Sequence, residues 1–267
     1  MRDRSVGSAA VSGGERSGRR SRRTDRPSDA RIRRWAPLVA PGVALTLLLA
    51  GCSGWAAGQT DDFSPPVATL GAPWSLDTTG PQSVVTIGDS IMSGNGVWPD
   101  EAWPAVVAEA NGWQLDNLAE DGAGFAQKGD DEHTFAEQVT QAASAPDAPA
   151  LIIVSASSND LGRDPAKVAH AAKKAFKALH DAFPHSTIVG LSAIWGDEPE
   201  PPELTEINSA VEGAAEAEHA SWLDIGEPLA GRVDLMQFDD THPTADGQRL
   251  LAASVDTGLR RLLAPAD

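Results

Sequence analysis

The sequence contains one cysteine, Cys52, among its 267 residues. A single thiol excludes a disulfide within the chain and any site built from paired cysteines. The metalloprotease motif His-Glu-x-x-His and the phosphate-binding P-loop are both absent. We therefore predict no metal and no cofactor.

Basic residues are also scarce after residue 51. Residues 52–267 hold 34 Asp and Glu but only 10 Lys and Arg, whereas residues 1–51 hold 11 Arg and 4 acidic residues. Binding to nucleic acid requires clustered positive charge, so this acidic part is not expected to bind it. The same charge disfavours adsorption to anionic lipid.

The N-terminal part has the pattern of a bacterial lipoprotein precursor. Arginine-rich residues 1–34 precede the uncharged residues 35–51, which are too few to span a membrane comfortably. The segment ends in Leu-Ala-Gly-Cys52, which resembles a lipobox. We predict a signal peptide over 1–51, lipidation of Cys52, and export to the outer face of the cytoplasmic membrane, with the lipid as the only membrane contact.

Residues 52–80 are rich in Gly, Ser, Thr, Pro and Asp and show little periodicity, which predicts a flexible tether. Residues 81–267 alternate apolar runs with helical patterns. The expected strands are 83–87, 114–118, 151–155, 187–194 and 222–225, and the expected helices are 102–110, 135–143, 164–183, 202–219 and 244–263. Asp100 is the expected cap of the first helix.

This alternation predicts an α/β fold: a three-layer α/β/α sandwich around a five-stranded parallel sheet. In such sheets, sites lie beyond the carboxyl ends of the strands, at the point where the strand order reverses. The segments that directly follow the predicted strands are therefore where functional residues are expected.

Four polar segments follow predicted strands or lie near the C-terminus: 88–91 (Gly-Asp-Ser-Ile), 117–122 (Asn-Leu-Ala-Glu-Asp-Gly), 157–160 (Ser-Ser-Asn-Asp) and 239–243 (Asp-Asp-Thr-His-Pro). Each alone could be an ordinary turn or helix cap. Together and in this order they resemble the SGNH (GDSL-like) hydrolase family over residues 83–263. The resemblance implies a flavodoxin-like sheet and hydrolysis of esters. No Gly-x-Ser-x-Gly elbow surrounds Ser90, which disfavours an α/β-hydrolase proper.

The resemblance implies that Ser90 is the nucleophile and His242 the base that takes its proton. An acceptor must hold the second ring nitrogen of His242. Asp239 lies three residues before His242, so one loop can bring both together, and Asp240 is the alternative.

The resemblance also implies three donors to an oxyanion: the backbone N–H groups of Ser90 and Gly122 and the side-chain amide of Asn159. Gly124 is the alternative to Gly122. Ser157 occupies a position where the family usually has glycine, which could change the direction of the Asn159 amide, and Ala119 replaces another family glycine.

Phe125 and Trp195 follow strand ends and are expected to line the substrate pocket. The expected activity is cleavage of a carboxylic ester through an acyl-serine intermediate, with small acyl groups on carbohydrate favoured as substrate. Two alternatives share these residues: a non-catalytic surface lipoprotein that binds glycan or lipid, and an acyltransferase. The sequence does not indicate the oligomeric state.

Overall fold

The computed structural model describes residues 70–72, 74–76 and 82–263. Cys52, the expected signal peptide and most of the expected tether lie outside the described residues. Five strands and six α-helices follow in the order β1 (Ser83–Ile87), α1 (Ser90–Ser93), α2 (Trp103–Asn111), β2 (Gln114–Asn117), α3 (Phe135–Ala143), β3 (Leu151–Ser155), α4 (Pro165–Ala182), β4 (Thr187–Leu191), α5 (Pro202–Ala217), β5 (Ser221–Leu223) and α6 (Ala245–Leu263).

The strands form one parallel sheet in the order β2-β1-β3-β4-β5. The predicted fold class is therefore confirmed. The strand order reverses between β1 and β3, so the carboxyl ends of these two strands flank the switch point at which ligands bind in such sheets. All five residues of β3 are buried, as expected for a central strand covered on both faces.

Helices cover both faces of the sheet. One apolar cluster joins the sheet to α3, α4 and α5, with Phe135 and Phe176 fully buried in it. A second cluster lies on the opposite face with α2 and α6, around the fully buried Trp103. Within residues 82–263 and the short segments described before them, no helix is both long and apolar enough to cross a bilayer.

Local hydrogen bonds explain where several helices begin. Thr134 and Glu137 form a reciprocal capping box at the start of α3. The side chain of Asp164 accepts the N–H of Ala166 before Pro165 opens α4. The expected cap at Asp100 is wrong: α2 begins after Ala102 with proline in its first turn and no side-chain cap.

The end of the expected tether packs against the folded domain. The indole N–H of Trp74 donates to Asp256 at 2.9 Å, and the Trp74 ring packs edge-on against Trp113. Leu76 is buried in the α2/α6 face. The packed part of the chain therefore begins before residue 81, because the large apolar side chains of Leu70, Trp74 and Leu76 have surface to bury.

Candidate active site

Ser90 lies directly after the carboxyl end of β1, as the first residue of the short helix α1. Asp89 caps this helix by accepting the N–H of Ile91 on its side chain at 3.0 Å. The tight turn requires Gly88, because a Cβ there would lie 2.5 Å from the sulfur of Met92. The hydroxyl of Ser90 is thus held at the rim of the sheet, and the residue is largely buried.

The loop before α6 brings His242 to Ser90. The Nε2 atom of His242 lies 2.9 Å from Ser90 Oγ, and its Nδ1 atom lies 2.6 Å from Asp239 Oδ2. The other oxygen of Asp239 accepts the backbone N–H groups of Thr241 and His242. An antiparallel bridge between Met236 and Pro243 closes the loop at its base.

These bonds determine the charge of Asp239. Hydrogen bonds from the side chain and backbone of His242 and from the backbone of Thr241 lower the pKa of Asp239 to about 2. Asp240 adopts a left-handed backbone, with φ of 54°, and lines a neighbouring cavity. The structure thus places Asp239, and not the alternative Asp240, against the His242 ring.

The three expected oxyanion donors come from three separate segments at the switch point. Within residues 82–263, no protein acceptor takes the backbone N–H of Ser90 or of Gly122. Gly122 has a φ of 72°, a backbone conformation that strongly favours glycine. The side-chain nitrogen of Asn159 donates one hydrogen to Ala123 O at 3.0 Å, which leaves a second hydrogen for another acceptor.

The alternative donor Gly124 does not fit this role. Its N–H donates to Gln127 O at 3.0 Å, and an added Cβ would lie 2.7 Å from Asp160. The buried carboxylate of Asp160 accepts the backbone N–H groups of three consecutive residues, Phe125, Ala126 and Gln127. Burial raises the pKa of Asp160, and these three bonds act against that rise.

Two buried glutamines, which sequence reasoning missed, hold the backbone on either side of Ser90. Gln138 of α3 accepts the N–H and donates to the carbonyl of Gly88, both at 3.0 Å. Gln248 of α6 donates to Ile91 O and accepts the N–H of Trp103. Each glutamine lies on the apolar face of a predicted helix, and a polar residue at such a position indicates a buried hydrogen-bonding role.

A family model for GDSL-like lipases and acylhydrolases matches residues 86–250. The chain belongs to this family. Membership of this family indicates that the protein is an ester hydrolase. A search of the curated proteins finds no match.

Solved structures resemble this GDSL-like hydrolase at low sequence identity. The psychrotrophic esterase EstA from Pseudoalteromonas sp. has 18% identity and a TM-score of 0.57, and the match covers 69% of this chain and 100% of EstA. Est24, a carbohydrate acetylesterase from Sinorhizobium meliloti, has 15% identity and a TM-score of 0.52, over 68% and 99% of the two chains. A carbohydrate esterase family 2 enzyme from Corynascus thermopiles (Myceliophthora fergusii) has 17% identity and a TM-score of 0.54, over 74% and 69%. These likenesses support the fold.

Two cavities lie beside the motif segments of the GDSL-like domain, although neither is lined by Ser90 or His242 itself. The smaller, of about 350 Å³, is bordered by Ile91 and Ser158, which adjoin Ser90 and Asn159, and also by Trp195. The larger, of about 930 Å³, is bordered by Asp239 and by two exposed aromatic side chains, Trp98 and Phe238. Trp195 therefore lies where a pocket residue was expected.

Phe125 does not line either cavity, which corrects the sequence-based expectation. Its ring is buried and packs against Phe135 and Phe176 in the core. The three N–H bonds to Asp160 begin at Phe125 and fix the loop in this inward position. Trp98 and Phe238 were missed: Trp98 follows Val97 in the loop after α1, and Phe238 directly precedes the 239–243 segment.

Proposed function

We propose that the protein cleaves carboxylic esters by a serine mechanism. His242 Nε2 takes the Ser90 proton, while the Nδ1–H of His242 donates to Asp239, and Ser90 Oγ attacks the carbonyl carbon. The tetrahedral oxyanion accepts the N–H groups of Ser90 and Gly122 and the free amide hydrogen of Asn159. Collapse expels the alcohol, which receives the proton from His242, and an acyl-Ser90 ester remains.

Water completes the reaction by the same steps. His242 removes a proton from a water molecule as the water attacks the acyl carbon, and then returns the proton to Ser90 Oγ as the carboxylic acid leaves. The observation that carries the proposal is the unbroken chain Ser90–His242–Asp239, with contacts of 2.9 Å and 2.6 Å. The first distance lies within the range that proton transfer requires, and the second is that of a hydrogen bond that orients the imidazole.

The favoured substrate is a small acyl group, such as acetyl, on carbohydrate. Acidic side chains around the smaller cavity disfavour a long apolar acyl chain, and the larger cleft is open, with Trp98 and Phe238 available to lie against the apolar faces of sugars. Three acidic side chains, Asp197, Glu198 and Asp240, border the smaller cavity, which disfavours anionic phospholipids. Two structural neighbours with this fold are carbohydrate esterases.

The proposed location is outside the cytoplasmic membrane, with the lipid on Cys52 as the anchor. The basis is the Leu-Ala-Gly-Cys52 segment and its position as the single thiol of the chain. Replacing Cys52 by Ser should move the protein from the membrane fraction to the soluble fraction. Unchanged fractionation would indicate another anchor.

Labelling with a fluorophosphonate, followed by peptide mapping, tests the mechanism. We expect one adduct on Ser90 in folded wild-type protein, no adduct in Ser90→Ala, and none after heat denaturation. If folded protein is treated with the probe and the Ser90 peptide is recovered without an adduct, the serine mechanism is refuted. This result would favour the alternative of binding without catalysis.

A panel of nitrophenyl esters of increasing acyl length tests the substrate. Acetate should give the highest kcat/KM, with a steady fall for longer chains, because the carboxylates that border the smaller cavity disfavour a long apolar chain. A preference for long chains would refute the acetyl proposal. Adding a sugar acceptor and analysing products separates hydrolysis from acyl transfer to that sugar.

A further inference from the structure

The three proposed oxyanion donors belong to loops that follow three different strands. The strand pairing ends before these loops, and one backbone bond, from the N–H of Glu120 to Gly88 O at 3.1 Å, joins the first two of them. Ser157 lies where all three meet and its side chain is fully buried.

The Ser157 hydroxyl contacts each of the three loops. Its Oγ lies 2.6 Å from Asp89 Oδ2, and Asp89 directly precedes Ser90. It lies 3.1 Å from the carbonyl of Ala123, which directly follows Gly122. It accepts the backbone N–H of Asn159, also at 3.1 Å.

We propose that Ser157 is a positioning residue that sets the spacing of the three oxyanion donors. The inference rests on the proposed function, because it concerns the same donors. A glycine at this position cannot make any of the three side-chain contacts. The serine therefore does not disturb the Asn159 turn: its hydroxyl caps that turn and joins it to the other two loops.

One hydroxyl hydrogen is sufficient for this arrangement in either charge state of Asp89. When Asp89 is ionised, Ser157 donates to it, and Ala123 O still accepts from the Asn159 amide. Burial raises the pKa of Asp89. When Asp89 is protonated, it donates to Ser157, whose own hydrogen turns to Ala123 O. The three loops stay joined in both states.

The test compares Ser157→Ala and Ser157→Gly with wild type, and with Ser192→Ala as the matched control. Ser192 is equally buried at the end of β4 and its Oγ accepts one backbone N–H, from Ile225, but it contacts none of the three loops. Measurements are kcat and KM on nitrophenyl acetate, the rate of fluorophosphonate labelling, the pH profile of kcat/KM through its acid limb and plateau, and Tm.

Misplacing one or more donors should lower kcat and the labelling rate by about 10- to 100-fold in both Ser157 variants, somewhat less than complete loss of a donor. KM should stay within about 2-fold, because the donors act chiefly on the transition state. The loss should persist on the plateau of kcat/KM above the acid limb, where the charge coupling between Asp89 and His242 no longer affects the rate. Ser192→Ala should keep kcat within about 2-fold whatever its Tm.

A folded Ser157→Gly or Ser157→Ala protein with kcat within about 2-fold of wild type would overturn the inference. So would an equal loss in Ser192→Ala, which would indicate general destabilisation, or a loss that disappears on the plateau above the acid limb, which would indicate an effect through the base. If Ser157→Ala does not fold, Ser157→Gly decides alone. If wild type itself neither turns over nor labels, the proposed function fails first and the inference falls with it.

Discussion

The side chains around His242 divide the roles of two adjacent aspartates. Asp239 accepts three hydrogen bonds and contacts the imidazole, whereas Asp240 faces a cavity. Asp239→Asn should lower kcat by about 10²–10⁴-fold, because an amide can present its N–H to Nδ1 and stabilise the wrong tautomer. Asp240→Asn should lower it by less than about 10-fold. Steady-state kinetics on one acetyl ester gives both values, and a reversed order would reassign the acceptor to Asp240.

The lowered pKa of Asp239 also predicts a pH dependence of stability. An unfolded aspartate has a pKa of about 3.9, whereas folding lowers the pKa of Asp239 to about 2. The stabilisation is therefore complete above about pH 4 and is lost as the pH falls towards 2. Tm measured from pH 5 to pH 2 should show wild type approaching Asp239→Asn across this range. A constant difference in Tm between the two proteins would contradict the assignment.

Contacts between two residues of one loop could be predicted from the sequence. The positions of side chains that depend on packing against distant parts of the chain could not. The three-residue spacing of Asp239 and His242 permits their contact without any knowledge of the fold. The inward position of Phe125 depends on Asp160, 35 residues away along the chain. No local pattern reveals such a bond, which is why Phe125 was expected in the pocket.

Among the elements, α6 both packs against the sheet and supports the loop that carries His242. Its first turn passes so close to the loop carrying His242 that a Cβ on Gly247 would lie 2.6 Å from Leu235 O and 2.8 Å from Pro243. An added methyl group must displace this loop, because the backbone carbonyl of Leu235 cannot yield as a flexible side chain does. The glycine in α6 is therefore required for close approach.

A matched pair of glycine substitutions tests this requirement. Gly247→Ala should lower both Tm and kcat, the latter by about 10-fold or more, since displacements near 1 Å are costly in an active site. Gly213→Ala, in the exposed middle of α5 where a Cβ meets nothing within 4 Å, should raise stability by about 0.4–1 kcal/mol and leave kcat unchanged. Thermal unfolding measures the change in stability, and steady-state kinetics measures the change in kcat. A Gly247→Ala enzyme with wild-type kcat would show that the loop tolerates the shift.

Regular elements were predictable because periodicity and capping are local. The bounds of α3 match the expected 135–143, where apolar spacing and the Thr134 capping box agree. The expected fourth strand, 187–194, is longer than β4, because pairing with β5 stops at Leu191. The short helix α1 and the 3₁₀ turn at Ser158–Asp160 were not predicted, since three or four residues carry no periodicity.

For the whole domain, the N-terminal segment enters at the end of the sheet opposite Ser90. Trp74 and Arg260 both bond to the buried Asp256, with the Arg260 guanidinium 5.4 Å from the Trp74 ring centre. The N–H of Leu76 donates to Gln82, the residue before β1, whereas Ser90 follows the other end of that strand. Residues 74–76 therefore pack near the amino end of β1, whereas Ser90 lies beyond its carboxyl end, at the opposite edge of the sheet.

If Cys52 carries the proposed lipid, this separation predicts which esters the protein can reach. Seventeen residues, 53–69, lie between Cys52 and the first described residue, and a chain of 17 residues spans at most about 60 Å. The folded domain is about 40 Å across for its size. Turning Ser90 towards the bilayer would require a nearly extended linker around the domain, so the site should face away from its own membrane. In vesicles, the lipidated protein should hydrolyse bilayer lipid esters no faster than Cys52→Ser, while both cleave a soluble acetyl ester equally well. A selective, roughly 10-fold or greater advantage of the lipidated form on bilayer esters would show that the site reaches the membrane surface.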